Sequence, residues 1–184
     1  LYLKGITNDL HGALSRFSRM DAPLVSAVKG AAAGAGFSLA IAADMVVAAE
    51  SARFTVAYTS VGLSPDGSCT FFLPRLVGLR RAQELMLTRR ILKAAEALEW
   101  NLVTRMVPDG DLEDEVSTLA AQLAAGPTAA FGSVKRLLLQ SSGDHLESQM
   151  EREARCIADA ARGADGREGI AAFLAKRAAD FAGK

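Results

Sequence analysis

Two short stretches of this sequence carry residues whose types and spacing could do chemistry. The first is Gly30-Ala31-Ala32-Ala33-Gly34-Ala35-Gly36, which follows a β-prone run and precedes an apolar helix. Side chains this small let the backbone come close to a ligand. A helix start adds unpaired N–H groups and a partial positive charge. Together these suit an anion, or an oxygen that becomes anionic during a reaction. Tight packing of a strand on a helix is the other reading, and the run alone leaves both open. It is not the dinucleotide-binding pattern, because Gly34-x-Gly36 is followed by Leu39 where a third glycine would stand. The second stretch is Val61-Gly62-Leu63-Ser64-Pro65-Asp66-Gly67. An acid on an irregular, glycine-flanked loop can act as a general base. An Asx turn or a helix cap uses the same residue types, so Asp66 also has an ordinary explanation. Asp44 reads as structural, and Tyr58 as a half-buried packing residue.

The elements that must position these residues follow from periodicity and breakers. Leu10, Leu14 and Phe17 predict an amphipathic helix over 8–20, broken at Asp21-Ala22-Pro23. Leu24 to Val28 reads as a buried strand, and the glycine-rich run opens a helix through about Ala43. Met45 to Ala49 is a second strand, so the order is that of a βαβ-like unit. Ser51 to Gly67 lacks periodicity and reads as loop with short turns, a length that is usually functional. Helices are expected near 68–76, 80–89 and 94–100, and a strand from Leu102 to Val107. The rest is helical, with apolar stripes such as Leu146, Met150, Ala154, Ile157 and Ala161. Gly163 to Gly166 reads as a loop before a last helix over Glu168 to Lys176.

Composition narrows the function. In 184 residues, half of them hydrophobic, a sizeable core can be buried. Lys plus Arg and Asp plus Glu both number 21, which argues against a general nucleic-acid binder. The uncharged run between Lys29 and Asp44 is too short and too glycine-rich for a membrane span, and no signal peptide is visible. Cys69 and Cys156 are far apart and read as reduced thiols of a cytoplasmic protein. His11 and His145 have no Cys or His at ligand spacing, so no metal site is expected. The first residue is Leu1 rather than Met, so a missing start or a cut chain is expected.

Taken together, the segments resemble a known family. Pro23 through Asp44, PLVSAVKGAAAGAGFSLAIAAD, is similar to the central segment of the crotonase (enoyl-CoA hydratase/isomerase) superfamily. So are Ala52-Arg53-Phe54, the VGLSPDGS loop, the LPRLVGLRRAQELMLT helix pair, and AAEALEWNLVTRMVP. Lys135 after Pro127 and the closing REGIAAFLAKR also match. The resemblance implies an α/β fold, a crotonase-like spiral of ββα units followed by C-terminal oligomerisation helices. Residues 1–108 would be the C-terminal part of the core and 109–184 a helical tail for trimerisation.

The resemblance also implies a substrate and roles. In the family, two backbone N–H groups grip the thioester carbonyl of an acyl-CoA and stabilise an enolate. The second donor maps onto Ala35, beside Gly34. The first, with much of the CoA site, belongs to a region expected before Leu1. The two glutamates of the family's hydratases map onto Ser38 and Tyr58, neither of which is a carboxylate. The remaining acid is Asp66. Isomerases of phenylacetate-type CoA substrates use an acid in this loop to move protons. The 4-chlorobenzoyl-CoA dehalogenases use it as a nucleophile beside a tryptophan, and Thr55-Val56-Ala57-Tyr58 holds none. The isomerase reading is preferred, with Asp66, Ala35 and Gly34 catalytic and Ser38 and Tyr58 lining the substrate. A hydratase with an atypical base, and an inactive member serving in binding or assembly, are the alternatives. Phe173 and Lys176 match positions where the last helix approaches a CoA on a neighbouring subunit; core packing and a solvated charge are their ordinary explanations. No cofactor is expected beyond coenzyme A as part of the substrate. The expected partner is a second copy of the chain, in a trimer or hexamer.

Overall fold

The computed structural model describes residues 2–183, so Leu1, where the chain opens without a methionine, lies outside the described residues. The described residues group into two compact units. One holds the residues up to Phe17 together with Leu24–Thr118; the other holds Ser18–Pro23 and the residues from Leu119 onward.

The first unit is built on two small sheets. Strands β1 (Val25–Val28), β3 (Met45–Ala49) and β6 (Arg105–Val107) form a parallel sheet in the order β1-β3-β6. Central β3 is covered on both faces, with Val46 to Ala49 buried, which is why its sequence is a continuous apolar run rather than an alternating one. Strands β2 (Ala31–Ala33), β4 (Arg53–Thr55) and β5 (Leu92–Lys93) form the other sheet, parallel between β2 and β4 and antiparallel between β4 and β5. The chain therefore runs β1-β2-α2, with α2 at Ala35–Ile41, and then β3-β4 followed by α3 (Cys69–Val77) and α4 (Leu79–Thr88). This is the expected spiral of ββα units.

Three expectations for the stretch up to Gly67 need correction. The βαβ-like order omits β2, which lies inside the glycine-alanine run. Alanine has little preference for strands, and only pairing of Ala32 with Phe54 across to β4 holds it extended. The Ser51–Gly67 stretch is not all loop, since it contains β4 and a 3-10 turn at Tyr58–Val61. Three residues are too few to show a period, yet Phe54 is fully buried between half-buried Arg53 and Thr55. The first helix, α1, runs from Tyr2 to Arg19, well before residue 8.

Phe37 of α2, Phe54 of β4, Leu73 of α3, Leu85 of α4 and Leu92 of β5 are fully buried in one cluster. Each would contribute about 1.5–3 kcal/mol of apolar burial. Their common effect is to fix the start of α2 against β4 and the loop that follows it. Helix α5 (Ala94–Glu99) and β6 follow in this unit, and Leu102 and Val103 are buried just ahead of β6. Asp44 accepts a hydrogen bond from the Leu24 N–H at 2.7 Å and so holds the entry to β1.

Helix α6 spans Leu112–Ala124. In the second unit, α7 (Thr128–Ser141), α8 (Leu146–Arg162) and α9 (Ala164–Leu174) pack in succession. Here the Gly163–Gly166 loop reading is overturned, because α9 already begins at Ala164. Gly166 serves close approach rather than a turn: a Cβ there would lie 2.0 Å from the Ala160 carbonyl oxygen. Past α9 the chain folds back. Arg177 donates to both oxygens of Glu168 at 2.6 and 2.9 Å, and the Asp180 N–H donates to Glu168 Oε1 at 2.9 Å. The arginine hydrogen bond, then the backbone one, hold the Glu168 carboxyl well down, at about 2.

Among the described residues, no helix is long and apolar enough to cross a membrane. Cys69 and Cys156 are both free.

Candidate active site

The small-residue run does form a helix start. Gly34 caps α2 in a left-handed backbone, φ 54° and ψ −123°, that only glycine adopts without strain. Its N–H donates to the Thr55 carbonyl at 3.3 Å. Ala35 is the first helical residue, and its N–H finds no acceptor among the described residues. Ala35 and Gly36 are exposed, while Phe37 and Ser38 are buried beneath them. The helix thus keeps a donor at an open end and an apolar face in the core.

Beside that end stands a hydrogen-bonded cluster of three side chains. Ser38 is completely buried. Its Oγ lies 3.0 Å from the Tyr58 hydroxyl, 3.0 Å from the Asp66 carbonyl and 3.3 Å from the Gly34 carbonyl. Tyr58 in turn donates its hydroxyl to Asp66 Oδ1 at 2.5 Å. The residues are 20 and 8 positions apart in sequence. Burial of the phenol, then its bond to the Asp66 carboxylate, push Tyr58 up to about 12. It therefore remains a neutral donor at any ordinary assay pH. The packing reading of Tyr58 is incomplete: its ring packs against the core, but its hydroxyl serves Asp66.

The loop that carries Asp66 is held tightly. Gly67 has φ +58°, and a Cβ there would come within 2.9 Å of Ser38 Cβ. The Gly67 N–H donates to Nε2 of His11 of α1 at 3.0 Å. Ala57 and Ser68 take left-handed backbones at φ 58° and 63°, flanking Tyr58 and Asp66. Such conformations cost roughly 1–3 kcal/mol each and persist where the surroundings over-determine them. Buried Cys69 follows, its thiol raised to about 11 by burial. The contributions of His11 and Cys69 carry no sequence signal, because neither sits at a recognisable spacing from Asp66.

Asp66 uses only part of its carboxylate. Oδ1 is taken by Tyr58, whereas Oδ2 accepts no bond and is not enclosed. No lysine or arginine pairs with it among the described residues. A half-exposed carboxylate with one free oxygen can take up and release a proton. Among the described residues, no group of three His, Cys, Asp or Glu side chains could hold a metal.

Phe173 and Lys176 belong to the other unit. Phe173 is 82% exposed, so core packing does not account for it. Lys176 is also exposed and takes a left-handed backbone, φ 53°, just past the end of α9.

A fold of ββα units carrying an open helix start and a carboxylate loop defines a class, and comparison with known proteins gives the family. A model of the enoyl-CoA hydratase/isomerase family matches residues 5–184. A curated relative, a probable enoyl-CoA hydratase of Rhodobacter capsulatus, is 45% identical over 88% of this chain and 63% of its own length. The 1,2-epoxyphenylacetyl-CoA isomerase of Escherichia coli is 41% identical over 92% of this chain and 64% of its own. The crystal structure of an enoyl-CoA hydratase/isomerase from Cupriavidus metallidurans superposes with a TM-score of 0.91 at 34% identity, covering 99% of this chain and 69% of that one. The chain belongs to the enoyl-CoA hydratase/isomerase family of the crotonase superfamily. It spans just under two thirds of the length of those two curated relatives.

Proposed function

We propose that the protein carrying this chain isomerises an acyl-CoA thioester by proton transfer through an enolate. Asp66 takes a proton from the carbon next to the thioester carbonyl, the electron pair moves onto the carbonyl oxygen, and the Ala35 N–H stabilises the resulting oxyanion. Asp66 then returns the proton at the far carbon of the double bond, which shifts by one place; where a strained ring carries a C–O bond one carbon further on, collapse of the enolate breaks that bond and the proton goes to the oxygen released, again with no net gain or loss of atoms. Coenzyme A enters as part of the substrate, and the scheme calls for no separate cofactor. The observation that carries this reading is Asp66 itself, held through Ser38 and Tyr58 beside the start of α2, with one oxygen left free. The positions of the hydratases' two glutamates are filled here by a buried serine and a neutral phenol. That weighs against addition of water by paired carboxylates. The likeness to the Escherichia coli isomerase points the same way. Turnover of a panel of enoyl- and aryl-acyl-CoA thioesters by the complete protein tests it. Isomers of unchanged mass are expected; hydrated products as the main outcome would overturn the isomerase reading.

The same proposal includes a homo-oligomer, a trimer or hexamer. Val134, Leu138, Met150, Ile157, Phe173 and Leu174 on α7, α8 and α9 are each more than half exposed. A groove of about 520 Å³ lined by Val134, Leu137, Met150, Ala154 and Ile157 runs between α7 and α8. Apolar surface on this scale is unusual for a monomer. Light scattering at micromolar concentration is expected to give a multiple of three protomers, and a stable monomer contradicts it.

A further inference from the structure

We propose that Tyr58 and Ser38 are positioning residues for Asp66, the Tyr58 hydroxyl occupying Oδ1 so that Oδ2 alone handles the proton. This rests on the reading of Asp66 as the acid/base. A free carboxylate can rotate and present either oxygen, whereas one bonded at 2.5 Å on a single oxygen has a fixed face. Ser38 fixes the other end of the device. Its oxygen lies within reach of the Tyr58 hydroxyl, the Asp66 carbonyl and the Gly34 carbonyl together. With the Tyr58 proton given to Asp66, the single Ser38 proton goes to one acceptor at a time, the Tyr58 oxygen or the Asp66 carbonyl at 3.0 Å rather than the Gly34 carbonyl at 3.3 Å, so Ser38 steadies the acid and its holder. A fully buried Ser38 is not available to a substrate, so its effect on one passes through its partners. The remaining neighbours fit the same role. His11 holds the Gly67 N–H, and only a glycine fits at 67 against Ser38.

The orientation by Tyr58 is also chemically lasting. With its proton retained to about pH 12, Tyr58 stays a donor to the carboxylate rather than becoming a second charge beside it. The proton that Asp66 carries in the reaction then goes on and off Oδ2 while the Tyr58 proton stays in place.

A double-mutant cycle tests this. The complete protein and its Tyr58→Phe, Ser38→Ala, Asp66→Asn and Tyr58→Phe/Asp66→Asn variants are assayed with a 3-enoyl-CoA thioester, following formation of the conjugated 2-enoyl isomer by ultraviolet absorbance. Circular dichroism checks folding, and Ser38→Ala supplies a second route should Tyr58→Phe fold poorly. Tyr58→Phe is expected to lower kcat about tenfold at unchanged KM. Ser38→Ala is expected to act in the same direction, and Tyr58→Phe is expected to add nothing in the Asp66→Asn background. A raised KM at unchanged kcat would mean that Tyr58 touches substrate instead. Losses that multiply in the double variant, or unchanged kcat in both single variants, would likewise overturn the inference while leaving Asp66 as the base. Wild-type kcat in Asp66→Asn would instead remove the base reading, and this inference with it.

Discussion

Asp66→Asn in the complete protein is expected to lower turnover by about 100-fold or more while acyl-CoA binding changes little. The substitution keeps the shape of the side chain and its acceptor oxygen for Tyr58, and it removes the group that takes the proton. The competing account of Asp66 as a turn or cap residue makes a different forecast. Loss of a cap costs roughly 1 kcal/mol of stability and leaves turnover per folded molecule unchanged. Its hydrogen bonds already separate the two accounts in part. The carboxylate bonds to a side-chain hydroxyl eight residues back. The helix that follows is capped by Ser68 in a left-handed conformation with no side-chain bond, so Asp66 does not cap it. Melting temperature and turnover measured on the same variant decide the matter.

Ala35→Pro should cost about 100- to 1000-fold in turnover, the usual worth of one oxyanion-hole donor. This variant removes the N–H and sets the ring's Cδ where that hydrogen pointed. Proline is well tolerated at the first position of a helix, where the N–H has no intrahelical acceptor and the fixed φ suits the turn. Ala35 holds that position in α2, and it is exposed, which leaves room for the ring. The melting temperature should therefore move by only a few degrees. Ala35→Ser keeps the N–H and serves as the comparison, with a loss far smaller than that of the proline variant. Equal losses in the two variants would assign the effect to the side chain and remove the backbone donor from the mechanism.

How much of this was legible in the sequence depended on whether a residue's partners were near in the chain. The start of α2 was, since its signal is a local run of small residues before an apolar helix. The helices of the tail were legible for the same reason, their stripes repeating over several turns. Strands β2 and β4 were not, because three alanines and Arg-Phe-Thr gain their extended form only by pairing with each other. The Gly163–Gly166 segment misled because glycine usually marks a turn, whereas Gly166 is there to let α9 approach the Ala160 carbonyl. At the site, Asp66 stood out as an acid on a glycine-flanked loop. Its holders did not: Ser38 looks like any helix serine, and Tyr58 like a packing aromatic. Only the fold brings positions 38, 58 and 66 together, and with them His11 from the first helix.

The claim that Asp66 moves a proton on a carbon beside a thioester is tested most directly by isotope exchange. The complete protein is incubated in D₂O with a 3-enoyl-CoA thioester, and deuterium entering the carbon next to the carbonyl is followed by NMR. The wild-type protein is expected to exchange that position, and Asp66→Asn to lose the exchange by about 100-fold or more while still binding the thioester. Exchange at the wild-type rate in Asp66→Asn would contradict the account, leaving Asp66 as part of the loop and the proton to another group.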